Sequence, residues 1–78
     1  MKVTEYFESV MTRPDREGIL REWIVRVMEF PEEELVQADG RIRRWGSVPE
    51  AGNRYLRVVL LPDGKTVHNA FFDRSFRR

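Results

Sequence analysis

Between Arg54 and Asp73 two β-rich runs flank Pro62-Asp63-Gly64-Lys65, and the Asp-Gly pair at their centre constrains the fold more than any other feature. An Asp-Gly step between apolar runs is the strongest short-range hairpin signal, because Gly supplies the positive φ that a tight reversal needs. With Asp63-Gly64 as a two-residue loop, Leu61 is expected opposite Thr66, Val59 opposite His68, Arg57 opposite Ala70 and Tyr55 opposite Phe72. Side chains alternate along a strand, so Leu56, Val58 and Leu60 then share a face with Val67, Asn69 and Phe71. That face reads as core. The other carries Tyr55, Arg57, Val59 and Leu61 beside Thr66, His68, Ala70 and Phe72, with Arg57 and His68 as diagonal neighbours.

The rest of the chain supplies what such a hairpin needs to pack against. Ile19, Leu20, Trp23, Ile24, Val27 and Met28 recur at three- and four-residue steps, which predicts an amphipathic helix over 19–30. Pro31 ends it, and Glu22 and Arg26 form a favourably ordered i,i+4 pair. Trp23 on this stripe reads as core rather than as a stacking platform. Tyr6, Phe7, Val10 and Met11 also fall at helical spacing, although Lys2 to Phe7 fits a short strand equally well. Asp39-Gly40 marks a second, weaker hairpin between Leu35-Val36-Gln37-Ala38 and Ile42-Arg43-Arg44-Trp45. Gly46 to Asn53, with Pro49 and Gly52, reads as a loop. The expected fold is therefore α+β: one domain over residues 1–78, with an N-terminal helix or helices packed on an antiparallel meander of three to four strands.

A chain of 78 residues has room for one core and no more. Its formal net charge of +1 gives no bulk pull toward nucleic acid. The charges are nonetheless unevenly placed: Glu29, Glu32, Glu33 and Glu34 crowd the middle, and arginines load the second half. The absence of cysteine excludes disulfides, thiolate catalysis and Cys-based zinc sites, and fits a reducing compartment. No apolar run approaches the ~18 residues of a membrane span, and the first residues lack a signal-type stretch, so a cytoplasmic location is expected.

Candidate chemistry centres on the hairpin. His68 is the chain's only histidine, and its ordinary pKa near ~6.5 suits proton transfer at neutral pH. Cleavage of RNA needs an acid or base near the 2′-hydroxyl or leaving oxygen and a cation at the phosphorane. His68 and Arg57 are the candidate catalytic pair, with Arg43, Arg44 and Arg74 as candidate RNA-binding cations. The competing reading is a strand histidine without a task. One histidine and scattered carboxylates give no metal-binding pattern. Gly18, Gly40, Gly46, Gly52 and Gly64 are isolated, so no phosphate loop is present, and no cofactor is expected. Arg41-Ile42-Arg43-Arg44-Trp45 mixes cations with an aromatic as nucleic-acid surfaces do, and equally as an exposed strand does. Phe71, Phe72 and Phe76 are expected to anchor the last strand and its exit, with Asp73 and Arg74 forming an ion pair or turn. Arg74, Arg77 and Arg78 extend the basic character of the end.

The stretches Asp39–Trp45, Tyr55–Val59 and Thr66–Arg74, preceded by Thr12-Arg13-Pro14-Asp15-Arg16 and a Trp-containing helix, resemble a family of short bacterial proteins. That family is similar in turn to the BrnT and RelE/ParE-type toxins of toxin–antitoxin modules. The resemblance implies N-terminal helices on an antiparallel sheet, RNA cleavage on or off the ribosome by basic residues of the sheet, and a neutralising antitoxin partner. The chain departs from such toxins in being nearly neutral and in having Val10 and Met11 where related domains carry a histidine. A non-catalytic protein-interaction module, binding through a strand edge or the basic face, is the alternative expectation.

Overall fold

The computed structural model describes residues 1–77. Two helices, α1 (Glu5–Val10) and α2 (Arg21–Glu29), precede strands β1 (Glu33–Val36), β2 (Ile42–Val48), β3 (Arg54–Leu60) and β4 (Val67–Phe72). The strands form an antiparallel meander in the order β1-β2-β3-β4. Both helices contribute to a single core on one side of it, so the α+β expectation holds.

The first segment is helical because Thr4 caps it. The Thr4 hydroxyl oxygen accepts from the Phe7 N–H at 3.0 Å, satisfying a donor that a helix start leaves open. Phe7 and Val10 are buried on the inner side of that short helix. Residues 2–4 run beside β4 instead of forming a strand of their own: Val67 N–H donates to Lys2 O at 2.8 Å and Thr4 N–H to Val67 O at 3.1 Å. Helix α2 occupies the middle of the expected apolar stretch. Ile24 and Val27 are buried, whereas Leu20, at the N-cap, stays exposed. Arg26 is bonded across to Glu50 at 2.7 Å, with its helical neighbour Glu22 adding only a weaker charge attraction.

Two expectations are corrected by packing. Gly46 does not begin a loop; β2 continues through it to Val48, opposite Leu56 and Arg54 of β3. The reason is α2: a β-carbon on Gly46 would lie 3.0 Å from Val27 Cγ2, so glycine lets the helix settle on mid-sheet without Val27 having to give way. The loop is thereby shortened to the single turn of 3₁₀-helix Pro49–Ala51 and its glycine exit.

The hairpin register is the second correction. The expected start is present, with Leu61 N–H donating to Thr66 O at 2.9 Å and Leu60 opposite Val67. Asp63 holds the turn by accepting from the Lys65 and Thr66 N–H groups and the Thr66 hydroxyl. Beyond it, however, Val59 faces Asn69, Val58 faces Ala70 and Arg57 faces Phe71. His68 is the extra residue of a β-bulge, and a one-residue slip exchanges the two faces of everything after it. Without the bulge Asn69 would point under the helices, where an amide lacks partners and its burial is costly. With it, Ala70 is fully buried and Phe72 packs on the core, while Asn69 and Phe71 turn to the helix-free face.

Gly46→Ala is therefore expected to lower stability by about 1–3 kcal/mol through overpacking against Val27. Gly18→Ala, with nothing within 4 Å of the new β-carbon, should change it far less. Urea unfolding of the two variants checks this.

Candidate functional site

The helix-free face is built from Arg43, Trp45 and Ser47 of β2, Tyr55, Arg57 and Val59 of β3, and Asn69 and Phe71 of β4. Its organising group is Asp73, just past β4. One carboxylate oxygen accepts from Arg57 Nε at 3.0 Å, Arg57 Nη2 at 2.8 Å and Trp45 Nε1 at 2.9 Å. The other accepts from the Ser75 N–H at 3.0 Å and its hydroxyl at 2.7 Å. Burial on its own pushes this carboxyl up. The hydrogen bonds from Ser75, Trp45 and Arg57 outweigh it and hold Asp73 well below the ordinary 3.8. The turn they fix brings Phe76 back onto Trp45, rings stacked 4.9 Å apart, with Tyr55 edge-on to Phe76 at 4.9 Å.

The bulge separates the expected catalytic pair. Arg57 has Asn69, not His68, as its diagonal neighbour, and its guanidinium is committed to Asp73. His68 lies against the N-terminal segment, with Nδ1 3.1 Å from Thr4 Oγ1 and its ring stacked on Tyr6 at 4.7 Å. Burial, and secondarily the Arg41 cation, lower its pKa from 6.5, so it is neutral at pH 7. Nδ1 of a neutral imidazole protonated at Nε2 accepts the Thr4 hydroxyl proton and leaves the Thr4 oxygen free to cap α1. The arrangement supports a structural histidine that links helix cap to strand.

The three expected RNA-binding arginines also part company. Arg44 points to the helix side, held by Glu34 at 2.7 Å and by Met28 O at 2.8 Å. Arg43, its strand neighbour, faces the other way and donates to Gln37 Oε1 at 2.7 Å. Of the three, only Arg74 is exposed with no side-chain partner among the described residues; of the ion pair or turn expected at Asp73-Arg74, the structure has the turn, closed by Phe76 N–H on Asp73 O. Arg78 lies outside the described residues.

Arg74 instead joins arginines of other segments around a cleft at the end of β4. A depression of about 260 Å³ is lined by Arg54, Tyr55, Phe72, Asp73, Arg74, Phe76 and Arg77. A second of about 390 Å³ adjoins it through the shared Arg54, Phe72 and Arg74, and adds Asp15, Arg16 and Phe71. The Arg54 guanidinium lies 4.0 Å from the centre of the Phe72 ring and donates to Ala51 O, a neutral acceptor. Arg77 donates to Arg74 O. Arg16 reaches over the β4 edge to Asn69 Oδ1 at 2.7 Å and covers Phe71 at 5.1 Å. Its Nε is buried without a hydrogen bond; Asp15 Oδ2 lies 3.4 Å away, near enough for charge attraction but not aligned as an acceptor. No carboxylate forms an ion pair with Arg54, Arg74 or Arg77 among the described residues. These cations come from the 13–18 connection, the start of β3 and the exit of β4, segments far apart in sequence. Sequence reading found Arg74 but not Arg16 or Arg54, since nothing in the spacing joins them.

No protein-family model, curated protein or solved structure matches this chain. Among the described residues no helix is long and apolar enough to cross a membrane.

Removal of the hub is expected to be costly. Asp73→Ala leaves Arg57 and Trp45 Nε1 without their acceptor and should destabilise the fold by about 3 kcal/mol, the lower end for a broken buried pair because Arg57 is one-fifth exposed. The folded-state pKa values of Asp73, Asp63 (about 2) and Glu50 (about 2) all lie below their ordinary values. The unfolded chain thus binds more protons in the acid range, so stability should hold above about pH 5 and fall as pH drops through about 4 toward 2. Urea midpoints across pH, for wild type and Asp73→Asn, check both sign and hub. The His68 ring protons should titrate below the ordinary 6.5 in NMR, and Arg41→Ala should move that midpoint up.

Proposed function

We propose that this protein binds single-stranded RNA through its phosphates and does not cut it. One observation carries the reading: arginines at 16, 54, 74 and 77 line an open cleft in which Arg54, Arg74 and Arg77 have no carboxylate partner among the described residues. An arginine fork matches phosphate oxygens; the two carboxylates of the lining are otherwise engaged, Asp73 with Arg57 and Ser75 and Asp15 with Arg16, which leaves three guanidiniums unmatched. The aromatic faces nearby are largely spoken for: Arg54 covers Phe72, Arg16 and Arg57 flank Phe71, and Trp45 takes Phe76. Base stacking therefore contributes little, and binding tracks the backbone with weak sequence preference. The resemblance to a short bacterial family that is itself similar to RNA-directed toxins, with the helices-before-meander order it implies, favours RNA over other phosphate polymers. Cleavage is not part of the reading, because the acid–base candidate His68 is held by Thr4 and Tyr6, and Arg57 is neutralised by Asp73.

Fluorescence anisotropy with a labelled oligoribonucleotide of mixed sequence tests this. The logarithm of affinity should fall with the logarithm of salt at about −0.7 per phosphate engaged. Arg54→Ala with Arg74→Ala should flatten that slope by about 1.4, whereas His68→Ala should leave binding unchanged and no variant should shorten the oligomer. Unaltered affinity in the double variant would remove the cleft from consideration.

A further inference from the structure

The opposite edge of the sheet has a different character. β1 is the terminal strand of the sheet, with β2 on one side and no strand on the other. All four of its residues are exposed. In an antiparallel pair, alternate residues turn their N–H and C=O groups to the neighbour and away from it. Gln37 N–H donates inward to Arg41 O at 2.8 Å, which sets the alternation: Leu35 and Glu33 bond inward, Glu34 and Val36 outward. Glu34 and Val36 thus present unmet backbone donors and acceptors on a row where a further strand would lie. Sheet edges in soluble proteins are commonly blunted by shortness, charged side chains, proline or a bulge. β1 is short and carries Glu33 and Glu34, charges that disfavour an acidic strand but favour a basic one, and it holds no lysine or proline.

Apolar side chains surround this row. Phe30 is 75% exposed, Val36 62% and Leu35 49%, the first two being the most exposed large hydrophobic residues in the described chain. The polar positions are acidic: Glu33 is exposed and has no ion pair with any described residue, and Glu34 is met only by Arg44 from its own sheet. We infer that the outer edge of β1 takes an extended segment of a partner protein, in which two adjacent basic residues adjoin two adjacent apolar ones, as a fifth strand. Backbone pairing through Glu34 and Val36 supplies the attachment, and alternate side chains supply the choice of partner. Basic residues of the incoming strand fall beside Glu33 and Glu34, its apolar residues beside Leu35 and Val36. Charge argues against a second copy of this chain, because two acidic edges would then lie together, and like charges across strands are unfavourable.

The test uses the full chain, ¹⁵N-labelled, titrated with capped six-residue peptides in which a pair of Lys, or a pair of Glu, adjoins a pair of Val. The Lys peptide should shift the amides of residues 33–37, with Glu34 and Val36 moving most, and the Glu peptide should not bind. Val36→Pro removes one outward N–H without touching an inward bond, a position where a strand tolerates proline. It should weaken the Lys peptide about five- to tenfold. Glu33→Lys, a surface change, should weaken the Lys peptide as well and restore binding of the Glu peptide, which keeps the test intact should the proline variant fold poorly. Equal binding of both peptides, shifts centred elsewhere, or no shift at millimolar peptide would overturn the inference. So would a sedimentation profile showing a dimer whose formation perturbs these same amides.

Discussion

A single buried carboxylate holds the helix-free side of this sheet together. Sheets in small α+β domains bury one face under helices and leave the other to water. Here the second face carries Trp45 and Val59, both nearly buried, and a domain of this size has no second helical layer to cover them. Asp73 supplies the cover indirectly. By taking hydrogen bonds from Arg57, Trp45 and Ser75 it turns the chain after β4 back over the sheet and seats Phe76 on Trp45. The charge of Asp73 is tolerable in that position because Arg57 neutralises it, and Arg57 is held in turn over Phe71 at 4.9 Å. Each group therefore compensates the burial cost of another, and none is free for a second task. That is why the most conspicuous cation of the hairpin contributes order instead of chemistry.

The bulge at His68 determines which residues reach this arrangement. It moves Phe71 to the side where Arg57 and Arg16 can flank it, and Ala70 to the helix side, where it is fully buried in the core. It also releases His68 from the ladder, so that the imidazole meets Thr4 and Tyr6. The same extra residue accommodates the N-terminal strand-like segment, whose bonds run to Val67 immediately before it. A histidine at a bulge beside a helix cap is well placed to join local elements. It is poorly placed to meet a substrate across the sheet.

Much of the architecture was legible because it rests on local signals. Pro31, the stripe around Ile24 and Val27, and the two Asp-Gly steps each act within a few residues, and the helices and meander follow them. The site was less legible because it rests on register. Nothing between Thr66 and Phe72 announces a bulge: the segment alternates acceptably either way, and only the partnerless amide of Asn69 under the helices decides against the regular ladder. Arg44 shows the same limit, since strand parity puts it on the helix side, where the end of α2 offers a carbonyl. Arg16 and Arg54 escaped notice for a further reason. They lie 38 positions apart in sequence, and only the wrapping of the 13–18 connection around the β4 edge makes them neighbours of one cleft.

Near-neutrality of the whole chain conceals a division between its ends. The sheet is four strands wide, so its two edges lie well over a Debye length apart at physiological salt, given about 4.8 Å per strand and a screening length of about 8 Å. An ion approaching either edge experiences the local charge, not the sum. At the β4 end it meets more arginines than carboxylates, Arg54, Arg74 and Arg77 having no ion pair among the described residues; at β1 it meets glutamates around an open backbone row. Neither edge can satisfy the other within one molecule, because the rigid sheet between them keeps them apart. Binding at one edge should also affect the other only weakly, since the two lie nearly two screening lengths apart. On the two proposals made above, a polyanion at the arginine cleft and a basic strand on β1 would then not compete, the sheet acting as the spacer between them.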